Sequence, residues 1–161
     1  NGRDKAVTVP VADRSYHIFF PYFGGKDDMT ALNLVLQLAE NLHVTATVVH
    51  FNGAEAVLCT PISRKQDTAF FASHRASLPL AQADRVIFET VVSEEPVADV
   101  IARARTEIEQ SLHSAGDLIV LGMNVARNRV LERKGTASTL GVLADRVLEG
   151  KLGASVLVVK A

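Results

Sequence analysis

Cysteine is almost absent from this 161-residue chain: Cys59 stands alone. A single thiol forms no internal disulfide and finds no partner for a zinc cluster, so a reducing compartment is expected. An excess of charge is lacking too. The formal net charge is −1, with no lopsided half. A nucleic-acid partner is therefore not expected, because such proteins normally present a basic face. No apolar run is long enough to cross a bilayer. Residues 1–15 are polar and mixed, so no secretory signal is expected there. The five histidines, His17, His43, His50, His74 and His113, show no metal-ligand spacing, so no metal is expected. Ser138, Ser155 and Cys59 lack a nucleophile elbow or a recognisable base, so no catalysis is expected.

What is present is a hydrophobic fraction of 48%, enough for the core of one ordinary domain. The start, Asn1-Gly2-Arg3-Asp4, reads as a cut edge, so a longer parent protein is expected, with 1–15 as a linker and 16–161 as the domain. Strand-like apolar runs recur at Tyr16–Phe23, Val44–Phe51, Arg85–Val92, Asp117–Gly122 and Ala154–Lys160. Several are continuous rather than alternating, as in strands buried on both faces of a parallel sheet.

Helical patterns fill the gaps. The first, about Asp28 to Asn41, is apolar nearly all round, which suits a deeply packed or interfacial helix. Residues 52–84 are the least regular; one helix near 64–76 is expected, with mobile flanks punctuated by Pro61 and Pro79. Pro96 opens a third helix, whose apolar face runs from Val97 to Leu112. Met123 to Ala137 reads as a loop, and Leu140 to Leu148 as a last helix stopped by Gly150. The strand–helix alternation implies an open parallel sheet with helices on both faces, an α/β fold.

The most informative segment is Phe23-Gly24-Gly25-Lys26-Asp27-Asp28. A glycine pair between a strand and a helix permits a tight turn at positive φ. In an open α/β sheet such a turn lies where ligands usually bind. Asp27 and Asp28 at the helix start are expected to satisfy its free N–H groups, and they would repel a phosphate. A nucleotide would therefore meet this turn through hydroxyls or base nitrogens. The plainer reading of the same residues is a structured turn and cap. His50, at the end of the second strand, falls near the same cleft and is a candidate pH-responsive group. Arg127, Arg129, Arg133 and Lys134 form a basic loop, read first as solvated and second as a contact for anionic lipid headgroups.

Two resemblances follow from these residues. Asp117–Gly122, then Gly141–Leu148, then Ala154–Val159 resemble the last third of a universal-stress-protein-like domain. The run Phe19-Phe20-Pro21-Tyr22-Phe23-Gly24-Gly25-Lys26-Asp27-Asp28-Met29-Thr30-Ala31-Leu32 resembles the signature of the cytosolic C-terminal domain of plant and fungal cation/proton exchangers, most of all the fungal potassium/proton antiporters. The resemblance implies a five-stranded sheet ordered 3-2-1-4-5. It also implies a homodimeric regulatory module on the cytosolic face of a membrane, partnered by the antiporter domain of the same polypeptide.

Similarity to ATP-binding universal stress proteins adds a candidate ligand, an adenine nucleotide or a cyclic dinucleotide. Their phosphate motif, Gly-x2-Gly-x9-Gly-(Ser/Thr), is only partly kept. Gly122 matches its first glycine, Val125 replaces the second, and Val142 stands where a hydroxyl belongs after Gly141. Pro21 stands about where those proteins place a ribose-binding Asp, with Asp27 or Asp28 as substitutes. The candidate ligand-facing set is Phe23, Gly24, Gly25, Asp27, Asp28, His50, Gly122, Met123, Asn124, Gly141 and Val142. Two alternatives stand beside the antiporter module: a free-standing nucleotide-binding stress protein, and a small α/β hydrolase or phosphatase.

Overall fold

The computed structural model describes residues 16–53, 61–109, 117–123 and 142–161. Among these the chain runs β1 (Tyr16–Tyr22), α1 (Lys26–Leu38), β2 (Val44–Gly53), α2 (Pro61–Ala76), β3 (Val86–Ser93), α3 (Pro96–Glu109), β4 (Leu118–Gly122), α4 (Val142–Glu149) and β5 (Ser155–Val159). Every strand pair is parallel, and the sheet order is β3-β2-β1-β4-β5. The order and class match the expectation. Cys59, the basic loop 127–134, Ser138, Asn124 and Gly141 lie outside the described residues.

Side chains alternate across β1, and each face has its own core. Ile18, Phe20 and Tyr22 pack with Ala31, Leu32 and Val35 of α1 and Phe71 of α2. Phe19 turns the other way, toward Val100 and Ala104 of α3 and Leu143 and Val147 of α4. Phe19, Phe20 and Tyr22 are almost wholly buried, each worth about 1.5–3 kcal/mol of transfer free energy. The central strand therefore fixes both layers.

Four expectations need correction. Of the two readings for α1, the deeply packed one does not hold: Ala31, Leu32 and Val35 face the core, and Leu38 is exposed. α2 begins at Pro61 rather than near 64. Proline fits there because the first helical turn has no use for its missing N–H. β5 is not buried on both faces; Ser155 and Leu157 are exposed, because the strand forms the sheet edge beside β4 alone. Finally, α1 has no side-chain hydrogen bond at its N-cap, Gly25.

Two polar clusters hold helices to the sheet. Arg85 lies just before β3, and its Nη1 donates to the carbonyls of Ala39 (2.7 Å), Asn41 (2.7 Å) and Val44 (3.2 Å). These include carbonyls that α1, with no basic residue in its last turn, leaves without an intrahelical partner. On the other face, Glu107 of α3 accepts from Thr47 (2.9 Å) and Arg103 Nε (2.9 Å) and lies 2.8 Å from His17 Nε2. Arg103 also makes a bidentate pair with Glu89. Burial alone would raise the Glu107 carboxyl. The hydrogen bonds from His17, Thr47 and Arg103 overcome this and hold it down to about 2.

Candidate functional site

In the order β3-β2-β1-β4-β5, the chain leaves β1 and β4 in different directions, which opens a crevice beyond their carboxyl ends. The turn Phe23–Gly25 and the residues Gly122 and Met123 stand at that point. Gly24 and Gly25 have φ of 100° and 93°, a region that side chains with a Cβ rarely adopt. The glycine pair is thus required by the turn, as its sequence suggests.

Asp28 is fully buried. Its carboxylate does not cap the helix N–H groups. It reaches back over the turn, and Oδ2 accepts from Phe23 N (2.7 Å) and Gly24 N (3.1 Å). Gly122 comes so close that a Cβ there would lie 2.0 Å from Asp28 Oδ1. Glycine at the end of β4 therefore makes room for an internal anion. Asp27 turns elsewhere and accepts from the backbone N–H of Ala161 (2.7 Å), tying the start of α1 to the end of the chain.

A second carboxylate closes the turn from α2. Asp67 Oδ1 accepts from Gly25 N (3.0 Å), and a Cβ on Gly24 would lie 2.3 Å from Asp67 Oδ2. The Tyr22 hydroxyl donates to the Asp67 carbonyl at 3.0 Å. Burial, and then the charges of Asp67 and Asp28, push the Tyr22 phenol well above its usual value. His50 lies against Tyr22 and Phe71, with ring centroids 5.2 and 5.0 Å away. Burial lowers its basicity, and the nearby Asp67 opposes that in part. Phe23 stacks on Phe51 at 5.6 Å. Met123 N donates to the carbonyl of Val159 (2.8 Å), which continues the β4–β5 ladder past Gly122.

The structure thus gathers Phe23, Gly24, Gly25, Asp28 and Gly122 into one contact set, with His50 beside it. Asp27 faces the chain end instead. Val142 is the first residue of α4, and Asn124 and Gly141 lie outside the described residues. Tyr22 and Asp67 escaped the sequence reading. Asp67 sits in a polar run, Arg64-Lys65-Gln66-Asp67, yet it shares a helical face with Phe71 and His74 at i+4 and i+7. That spacing is the signal that would have turned it inward.

Among the described residues, no group of three or more His, Cys, Asp and Glu side chains could hold a metal ion, and no helix is long and apolar enough to cross a membrane. No family model matches the chain. No curated protein matches it. Solved structures do. A universal stress protein in complex with cAMP is 19% identical, with 90% of this chain and 96% of that chain covered and a TM-score of 0.56. A protein of the universal stress protein family from Burkholderia pseudomallei is 23% identical, covering 95% of this chain and 100% of its own, with a TM-score of 0.45. None of these comparisons shows that the chain is part of a cation/proton exchanger. The five-stranded 3-2-1-4-5 sheet and its two helical layers are the universal-stress-protein-like fold.

Proposed function

We propose that this domain is a non-catalytic regulatory module that takes an adenine nucleotide in the crevice beyond β1 and β4. Its ribose or base faces the β1–α1 turn and its phosphates point away. The observation that carries this reading is the buried Asp28 carboxylate under Gly122. It brings negative charge to the place where a phosphate would otherwise meet the helix start. A neighbour of the same fold solved with cAMP supports the choice of an adenine ligand. Binding rather than turnover fits the two carboxylates at the crevice. Asp28 and Asp67 each hold backbone N–H groups of the turn. Regulation is then a population shift: a ligand that prefers one arrangement of the turn favours that state of the whole protein.

Two settings suit such a module. One is a free-standing stress protein. The other, which rests on the resemblance of the Phe19–Leu32 run alone while the solved neighbour of this fold supports the first, is the cytosolic regulatory domain of a potassium or sodium/proton antiporter, at the cytosolic face of a membrane. In either, the exposed edge of β5, with Leu157 on it and Leu148 nearby on α4, is the surface proposed for homodimer formation.

The test is a thermal-shift titration with ATP, ADP, AMP, cAMP and cyclic dinucleotides between pH 5.5 and 8. A ligand at a hundred times its Kd stabilises the fold by about 2.7 kcal/mol. That is a rise of roughly 5–10 °C for a chain of this size. No shift with any of them refutes the nucleotide reading and leaves a protein partner as the regulator.

A further inference from the structure

A second cleft lies along the later part of α1, beginning at Asn33, about 8 Å along the helix from Asp28. It encloses about 190 Å³ between the last turns of α1, the end of α2 and the segment leading into β3. Leu36, Leu78 and Pro79 supply its apolar surface. Gln37 and Glu40 extend it along the Asn33–Glu40 stripe of α1. His74 braces one wall: its Nδ1 donates to the Phe70 carbonyl (3.0 Å), and its Nε2 meets the Asn33 side-chain amide at 3.1 Å.

The telling residue is Gln82. It is 8% exposed, and its side-chain amide, for which no hydrogen bond is found among the described residues, is not cut off from water. It also lines this cleft, so what contact it keeps with solvent comes from there. A buried amide without a partner costs about 1–3 kcal/mol once water is removed. An apolar occupant would incur that cost; a hydrogen-bonding one would not. Glu40 sets the charge. It is the carboxylate that lines the cleft, two residues past the end of α1, whose last carbonyls are already taken by Arg85. An anion is disfavoured beside Glu40 itself.

We propose that this cleft binds an alkyl-guanidinium group, the chemistry of an arginine side chain. The aliphatic stem would lie on Leu36, Leu78 and Pro79, as such stems do on apolar surface. The planar, fork-like cation would meet the Glu40 carboxylate and the Gln82 amide oxygen. The site is independent of the nucleotide crevice, and either can fail without the other.

The experiment is an amide-resolved NMR titration of the whole chain with free arginine, N-acetyl-arginine amide and citrulline, the neutral isostere. Saturable shifts are expected around Gln37, Glu40, Ser77 and Gln82 with both arginine compounds and not with citrulline. Equal binding of the free and blocked forms assigns recognition to the side chain of a partner protein. Tighter binding of free arginine assigns it to a small molecule. Glu40 is exposed, so Glu40→Gln leaves the fold intact. Loss of one charge-assisted hydrogen bond should weaken binding about tenfold or more. No saturable shift, equal binding of citrulline, or an unchanged Kd in Glu40→Gln overturns the proposal.

Discussion

Gly122→Ala is expected to unfold the chain more readily than any ordinary surface substitution, and part of its cost should vanish when the Asp28 side chain is removed. The added Cβ would stand 2.0 Å from Asp28 Oδ1 and 3.0 Å from its Cγ. The carboxylate must then move, and it cannot move without loosening its bonds to Phe23 N and Gly24 N. Hydrogen bonds to a charged acceptor are worth about 1.5–3 kcal/mol each, so partial loss of two puts the cost at roughly 2–4 kcal/mol. Asp28→Ala loses the same two bonds outright and should cost more, about 3–6 kcal/mol. In the double variant the obstructing carboxylate is gone, but the backbone nitrogen of Asp28 still lies 2.9 Å from the new methyl, a contact that only a backbone shift relieves. The double variant should therefore stay worse than either single one, yet fall short of their sum by about 2 kcal/mol, a coupling in the rescuing direction. Urea unfolding with a constant m-value measures all three. Additivity within about 0.5 kcal/mol would refute the contact between Gly122 and the Asp28 carboxylate, and with it the placing of negative charge under the β1–α1 turn.

Other consequences are as sharp. Glu107 has a folded pKa of about 2 against an ordinary 4.5, so it should stabilise the fold above pH 4.5 and lose that contribution as pH falls toward 2. Glu107→Gln should cost on the order of 3 kcal/mol at pH 6. The gap from the native chain should close toward pH 2.5, and a gap independent of pH would contradict the network. His50, depressed by burial, should remain neutral below the midpoint of a free imidazole. Its stabilising effect is complete above about pH 6.5 and lost on acidification. An NMR titration of its ring with a midpoint at or above the ordinary value would refute this. Arg85→Ala strips the carbonyls of Ala39, Asn41 and Val44 of their shared donor and should cost about 2–4 kcal/mol in urea unfolding. Arg85→Lys should recover only part, because an ammonium cannot reproduce the fork.

The strands were legible because four of the five runs are long, apolar and bounded by polar or glycine-containing breaks. The turn was legible because Gly24 and Gly25 have one physical use, the positive φ they adopt. The roles of the acidic residues were not. Asp27 and Asp28 look equivalent in sequence, yet one is buried over the turn and the other holds the backbone of Ala161. Only the approach of β4 separates them, and that is a tertiary fact. Asp67 was hidden because its neighbours, Lys65 and Gln66, are exposed and mask its helical face. The apolar character of β5 pointed to burial, but hydropathy does not say which strand ends a sheet. Gln82 gave no signal, since an isolated glutamine before a strand reads as surface.

The most direct test of the nucleotide crevice is an amide-resolved NMR titration of the native chain with AMP and cAMP. Saturable shifts are expected at Phe23, Gly24, Gly25, His50, Gly122 and Met123, with adenosine reproducing those at the β1–α1 turn. Absence of shifts at these amides, or shifts only at the far end of α1, would contradict an adenine nucleotide seated beyond β1 and β4.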